Sequence, residues 1–330
     1  MITYVNTKTS TSLFGAVAAM ALALSAAPAV AGNARTWISG KGVDQAGCGP
    51  IASPCRTMQY AHDNTNAGGE IDVLDSAGYG MVTITKSISV VGDGVIAGLL
   101  ASAGQNAVTI NAGASDTIVL RGLTIEGSGV GKTGILLTSG GTLDVSNCVV
   151  RNFGGQGGVG IAVLNDGTTC SNVPLTDTTL SSNNFAGLLF QGQGASSKVQ
   201  IVADHVIASG NGQYGFSFVL LPGSTIAVSA NVTDSLLSFN GSSGVQVTGN
   251  VTVNVDHARA ESNVQDGLGV SAWGNAAGPL GAIVVGRSVV SGNGHAGLDN
   301  NGGTIRSYGD NRIVGNGTPT VGTITTIAPL

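Results

Sequence analysis

Seven positions along the chain carry acids, or residues standing in for them, at a recurring place. Asn147, Asp177, Asp204, Asp234, Asp256, Arg287 and Asp310 each precede another asparagine by six or seven residues, except the first, which does so by five. Carboxylates carried on neighbouring turns of a repeating fold could supply the paired acids of glycoside hydrolysis, or could bind Ca²⁺ for an elimination reaction. His205 and His257 directly follow two of these acids and add proton shuttles. Arg259 stands close to Asp256 and Glu261 in the sequence and joins the candidates. The catalytic candidates are therefore Asp204, Asp234, Asp256, His257 and Arg259. A plainer reading exists, in which short Asp side chains cap a turn by accepting from nearby backbone N–H groups. A turn motif repeats whereas an active site occurs once, which favours the plainer reading.

The elements that would position these residues are written into the sequence as a repeat. Its unit is an asparagine, three residues, a glycine, then an apolar residue, any residue and a second apolar residue, as in Asn240-Gly-Ser-Ser-Gly244-Val-Gln-Val247. Copies follow Asn183, Asn211, Asn263 and Asn293, and earlier ones keep the glycine and apolar pair at Gly134 and Gly160. Successive glycines are spaced by 26, 27, 28, 29, 23 and 30 residues. A short strand recurring at such a period predicts a solenoid, each turn completing its core by stacking on its neighbours. Alternation would point Val245 and Val247 inward and Gln246 outward. The recurring Asn183, Asn211, Asn240, Asn263 and Asn293 could stack into a ladder of hydrogen-bonded amides, or could simply be turn residues. Either role is structural. Stacking would also place Leu188 over Phe216 and Phe190 over Phe218.

Composition narrows the alternatives. Only 9% of the residues are charged, too few for the solvated faces of a helical bundle, and 42% are hydrophobic, too many for a disordered chain. Residues 1–31 read as a secretory signal, with Lys8, an apolar run from Leu13 to Ala29 and a small-residue cleavage site at Ala29-Val30-Ala31. No later run is long and apolar enough to span a bilayer. Lys8 is the single charge of that segment, so its removal takes the net charge from −5 to −6 and leaves no basic surface for nucleic acid. Four cysteines suit an oxidising compartment. Cys48 and Cys55, separated by Gly-Pro-Ile-Ala-Ser-Pro, are expected to bond; Cys148 and Cys170 could bridge neighbouring turns. No Cys/His spacing resembles a zinc site.

Taken in order, the mature chain starts with an exposed strand around Trp37-Ile38. Pro54 opens a predicted helix from about Cys55 to Asn64, with Met58 and Ala61 on one face and Gly68-Gly69 as its stop. Strands follow at Ile71–Leu74, Val82–Thr85 and Ile88–Val91. A helix laid across the first turn would close an otherwise open core end. Coils run from 108 to 317, and the tail 318–330 adds a last strand or frays. Gly127-Ser-Gly-Val-Gly-Lys132-Thr133 imitates a phosphate-binding loop, but its first glycine is misplaced and no helix follows. Trp273 sits in a longer loop, Ser271 to Pro279, and could be a stacking platform for a sugar ring or could pack back on the coil.

Met58-Gln59-Tyr60-Ala61, Gly68-Gly69-Glu70-Ile71-Asp72-Val73, Gly78-Tyr79 and the run from Val82 to Gly92 resemble the N-terminal cap of right-handed parallel β-helix proteins of the pectate-lyase-like superfamily. The preceding Cys48…Pro54-Cys55 resembles a group of secreted bacterial β-helix proteins without an assigned activity. The resemblance implies an all-β, right-handed parallel β-helix with a short N-terminal capping helix. It also implies that the diagnostic catalytic motifs of pectinesterases and pectate lyases should be sought, and these have no counterpart here. Two functions follow. One is a secreted or periplasmic, non-catalytic module contacting polysaccharide or a cell-surface glycan, needing no cofactor. The other is a polysaccharide lyase or glycoside hydrolase, with Ca²⁺ entering only under the lyase reading.

Overall fold

A strand that buries alternate side chains against others like itself must find partners on both edges, and here it finds them one coil away. The computed structural model describes residues 32–166, 172–195, 197–272 and 280–328. Each full coil contributes one strand to each of three sheets. In one such coil, Val251–Asp256 lies in a twelve-stranded first sheet, Arg259–Glu261 in a ten-stranded corner sheet and Leu268–Ser271 in a ten-stranded second sheet. Successive coils are neighbours in every sheet, and their strands pair parallel.

Equivalent letters of the repeat become vertical neighbours. Val163, Phe190, Phe218 and Val247 are successive register partners in the second sheet, and none is exposed. Leu188 likewise faces Phe216. The Phe216 and Phe218 rings meet edge to face with centroids 6.4 Å apart. Burying a side chain of this size stabilises by roughly 1.5–3 kcal/mol, so the stacked column is a main source of cohesion.

The N-terminal end is closed as the core requires, with boundaries that differ from those predicted. The helix spans Met58–Asn64 and begins later than Cys55, because Thr57 takes the capping position and accepts from the Tyr60 N–H. Asp44 fixes that start by accepting from the backbone N–H groups of Arg56 and Thr57 and from the Thr57 hydroxyl. Met58 and Ala61 are buried against the first coil. Gly68-Gly69 does not stop the helix. It ends at Asn64, and both glycines lie inside the strand Thr65–Val73, where a Cβ on Gly69 would stand 2.7 Å from the Ala34 carbonyl. The leading strand, Asn33–Ile38, is also less exposed than expected, since it is the edge of the first sheet and buries Thr36 and Ile38. A disulfide joins Cys48 to Cys55. The tail adds two strands, Thr318–Val321 and Ile324–Thr326. Among the described residues no helix is long and apolar enough to cross a membrane.

Candidate functional site

The turn from the first sheet to the corner sheet is two residues long in coil after coil, and this fixes where the candidate acids go. Its first residue is Asn147, Asp177, His205, Asp234, His257 or Arg287, with φ of 51°, 49°, 53°, 46°, 50° and 48°. Asparagine and aspartate tolerate this left-handed backbone better than other non-glycine residues, which explains three of the six. The second residue points inward: Cys148, Thr178, Val206, Ser235, Ala258 and Ser288 are all buried. The hydroxyls of Thr178, Ser235 and Ser288 accept from the backbone N–H of Cys148, Val206 and Ala258 on the preceding coil.

The acids expected in one column therefore occupy two. Asp204 and Asp256 are strand-end residues, in register with Thr176, Thr233 and Gly286. Asp177 and Asp234 are one residue further on, in the left-handed turn. Spacings of six and seven residues to the next asparagine are different places in a coil, because one residue turns a side chain to a new direction. The sequence reading merged them.

Most of these groups are tied to neighbours. Asp204 accepts from the Thr233 hydroxyl at 2.9 Å and stands 3.1 Å from His205 Nδ1, a hydrogen bond that raises the His205 pKa. His257 Nδ1 lies 3.4 Å from Asp256. Arg259 is not turned to Asp256; it lies on the corner sheet and pairs with Glu261 of its own strand at 2.9 Å. Atoms of Asp204, His205 and Asp234 come within 4.8 Å of one another, on an exposed corner.

Asp256 lines a groove. Arg287 reaches back across one coil and binds the Asp256 carboxylate with both Nε, at 2.9 Å, and Nη2. These hydrogen bonds hold the Asp256 carboxyl below the usual carboxylate range. The Arg287 backbone N–H donates to Asp310 at 3.0 Å. A groove of about 450 Å³ runs here, lined by Asn254, Asp256, Val284, Arg287, Tyr308 and Asp310 among others. Val285 pairs with Ser307, so Gly286 and Tyr308 follow as neighbours, and a Cβ on Gly286 would stand 2.8 Å from the Tyr308 ring. The missing side chain lets the ring lie on the coil beneath it. Asn254 adds an amide bonded to Asn231 at 2.9 Å.

Sequence reading missed Tyr308. Its signal was the pairing Gly286/Tyr308, visible only once the register is known. Trp273, the predicted platform, lies outside the described residues, as does Cys170. Cys148 is a free, buried thiol whose pKa burial pushes up to about 12.

The next corner, between the corner sheet and the second sheet, carries the asparagines. Asn183, Asn211, Asn240, Asn263, Asn293 and, one copy further, Asn316 form a continuous ladder, each Nδ2 donating to the next Oδ1 at 2.8–3.1 Å. The same Oδ1 atoms accept the preceding asparagine's backbone N–H.

The family model for right-handed β-helix regions matches residues 106–289. The chain belongs to the right-handed β-helix family. Among solved structures, this β-helix resembles the crystal structure of pectate lyase Pel9A, with a TM-score of 0.56 and 14% identity over 87% of this chain and 80% of that one. It also aligns with the A-module of the Azotobacter vinelandii mannuronan C-5 epimerase AlgE4, with a TM-score of 0.40 and 14% identity over 79% of this chain and 91% of that one. At such identity the likeness to Pel9A shows the fold alone. No curated protein matches the β-helix.

Proposed function

We propose that this β-helix is an exported, non-catalytic module that binds polysaccharide through the groove between Asp256, Arg287 and Tyr308. The observation that carries the reading is the Tyr308 ring, 36% exposed and lying against Gly286 beside an arginine, a carboxylate and an amide. An aromatic face flanked by planar hydrogen-bonding groups suits a pyranose, whose C–H face stacks while its hydroxyls bond at the edges. Arg287 adopts the left-handed backbone without the intrinsic tolerance of Asp or Asn, and from that turn its side chain reaches Asp256. The groove is built to hold rather than to react. A carboxyl held ionised by Arg287 is a poor proton donor near neutral pH, and it engages two of the three guanidinium nitrogens. Export, with residues 1–31 as its signal, belongs to the same proposal.

One observation favours a second reading, a lyase or hydrolase: Asp204, His205 and Asp234 converge from two coils. Their corner is open to water, with His205 and Asp204 side chains 59% and 39% exposed, which argues against a site that must exclude solvent.

The test is affinity electrophoresis of the purified protein through a panel of neutral and acidic polysaccharides, with and without Ca²⁺, alongside product analysis. Retardation by one polysaccharide, lost in Tyr308→Ala, and an unchanged polymer are expected. New reducing ends or unsaturated products, abolished in Asp204→Asn or Asp234→Asn, would replace this reading with the enzymatic one.

A further inference from the structure

The corner that carries the asparagines is uniform in its rungs but not in what flanks them. The residue before each rung has left-handed backbone, and in five copies it is Ser182, Gly210, Ser262, Gly292 or Gly315, with φ of 54–69°. Before Asn240 it is Phe239, with φ of 56°. Left-handed backbone suits glycine and small polar residues, and a bulky aromatic there is held against its preference. Packing does not explain it. Phe239 is 70% exposed, and a Cβ on Gly210, its counterpart one coil earlier, would meet nothing within 4 Å.

A second outlier stands on the next coil. The residue after a rung is Gly212, Gly241, Gly294 or Gly317 in four copies, where a Cβ would come within 2.0–2.4 Å of the equivalent carbonyl oxygen on the coil before. Val264 takes this place, its N–H donating to the Asn240 carbonyl as that of Gly241 donates to Asn211, and it is 65% exposed. Phe239 precedes Asn240 and Val264 follows Asn263, and these two rungs are bonded at 2.9 Å. Two apolar side chains are thus set outward on adjacent coils, at places where the backbone favours glycine or serine. Gln265, exposed beside Val264, accepts the Ser242 hydroxyl on Oε1 at 3.1 Å, and its Nε2 has no hydrogen bond among the described residues.

We propose that Phe239 and Val264 form a second carbohydrate platform, on which one pyranose of a polysaccharide lays its C–H face on the phenyl ring while the Gln265 amide donates to a hydroxyl. The proposal rests on the polysaccharide-binding reading and adds a contact one corner away from the Asp256–Arg287–Tyr308 groove. Size selects the occupant. An aromatic residue offers about 150–250 Å², and the adjoining Gly210, Gly241 and Ser262 add no large apolar side chain. A protein partner takes roughly 800 Å² per side, whereas a single sugar ring is matched by one phenyl face and its margin. A polymer long enough to reach both corners gains avidity that neither contact has alone.

The experiment is affinity electrophoresis through gels containing hydroxyethylcellulose, xylan or polygalacturonate, with melting curves and sedimentation velocity on the same proteins. Phe239→Asn and Val264→Gly give these places residues that their backbone accepts, so both should fold, and Phe239→Asn should melt no lower than wild type. For the polymer that retards the wild type, retention should weaken at least about threefold in Phe239→Asn and by less in Val264→Gly, with Tyr308 intact. Undiminished retention in both variants, alongside its loss in Tyr308→Ala, would overturn the platform and leave the groove reading standing. Retention of the wild type by none of the three polymers would overturn both. A lower melting temperature in Phe239→Asn would mean that the ring serves the fold, and a wild-type dimer dissolved by Phe239→Asn would make the patch a contact between copies; either result overturns the platform.

Discussion

Two corners of the same coil repeat a polar residue, and they treat it in opposite ways. At the asparagine corner the side chains from Asn183 to Asn293 are buried, every rung is the same residue, and the inner rungs are hydrogen-bonded above and below. At the acid corner the rungs change from Asn147 through Asp177, His205, Asp234 and His257 to Arg287, and their side chains lie toward solvent. A buried amide has no alternative partner, so each copy must supply the same one. An exposed left-handed turn demands only a tolerable backbone, and its side chain is released for other uses. Uniformity marks the corner that holds the coil together; variation marks the one where a groove could be built.

The sharpest way to break this contrast is Asn240→Ala. It strips acceptors from the Asn211 backbone and side-chain N–H groups, and donors from Asn263 Oδ1 and the Ala208 carbonyl. The Asn211 backbone N–H loses its acceptor, Asn211 Nδ2 keeps only the Leu180 carbonyl, and a cavity is left in the ladder, so a loss of roughly 2–4 kcal/mol is expected in denaturant unfolding. A loss under about 1 kcal/mol would mean that the ladder decorates the corner rather than holding it.

The acid corner should respond to backbone tolerance rather than to chemistry. Asp234→Val places a β-branched residue at φ 46° and should cost about 1–2 kcal/mol in the same measurement. Asp234→Gly should stay within about 1 kcal/mol of wild type. Equal losses in the two variants would show that the carboxylate itself matters to the fold.

The smallest effects are in pH dependence, and their signs differ. Asp256 has its carboxyl lowered by Arg287, so the pair's contribution is complete above the unfolded carboxylate value and is lost as pH falls through the folded one. Arg287→Ala should flatten that acid limb of the melting curve. His205 is raised by Asp204, so its contribution is complete below the ordinary histidine value and disappears as pH rises through the folded one. An NMR titration should place His205 above a free histidine, and Asp204→Asn should return it toward that value.

The coil, its core column and the capping helix were legible because period and alternation are properties of the letters themselves. Phe190 over Phe218 follows from counting alone. What failed was finer than the period. Asp204 and Asp234 look equivalent until one asks which residue is in the left-handed turn, and a difference of one in spacing held the answer. Gly68-Gly69 reads as a helix stop in any local scheme, yet close approach to the Ala34 backbone uses Gly69 within a strand. Tyr308 was missed because its place against Gly286 is assembled across coils, from residues unremarkable in their own copy. Comparing copies column by column, rather than scanning for motifs, brings it out.

The third corner, between the second sheet and the first, varies in length among the described coils. It is short between Val245–Thr248 and Val251–Asp256 and longer between Tyr214–Leu220 and Ala227–Thr233. Whole coils could therefore be duplicated or deleted in evolution, and foreign peptides could be grafted at that corner, without a break in the amide zipper. A graft of the same size beside Asn240 would interrupt that zipper.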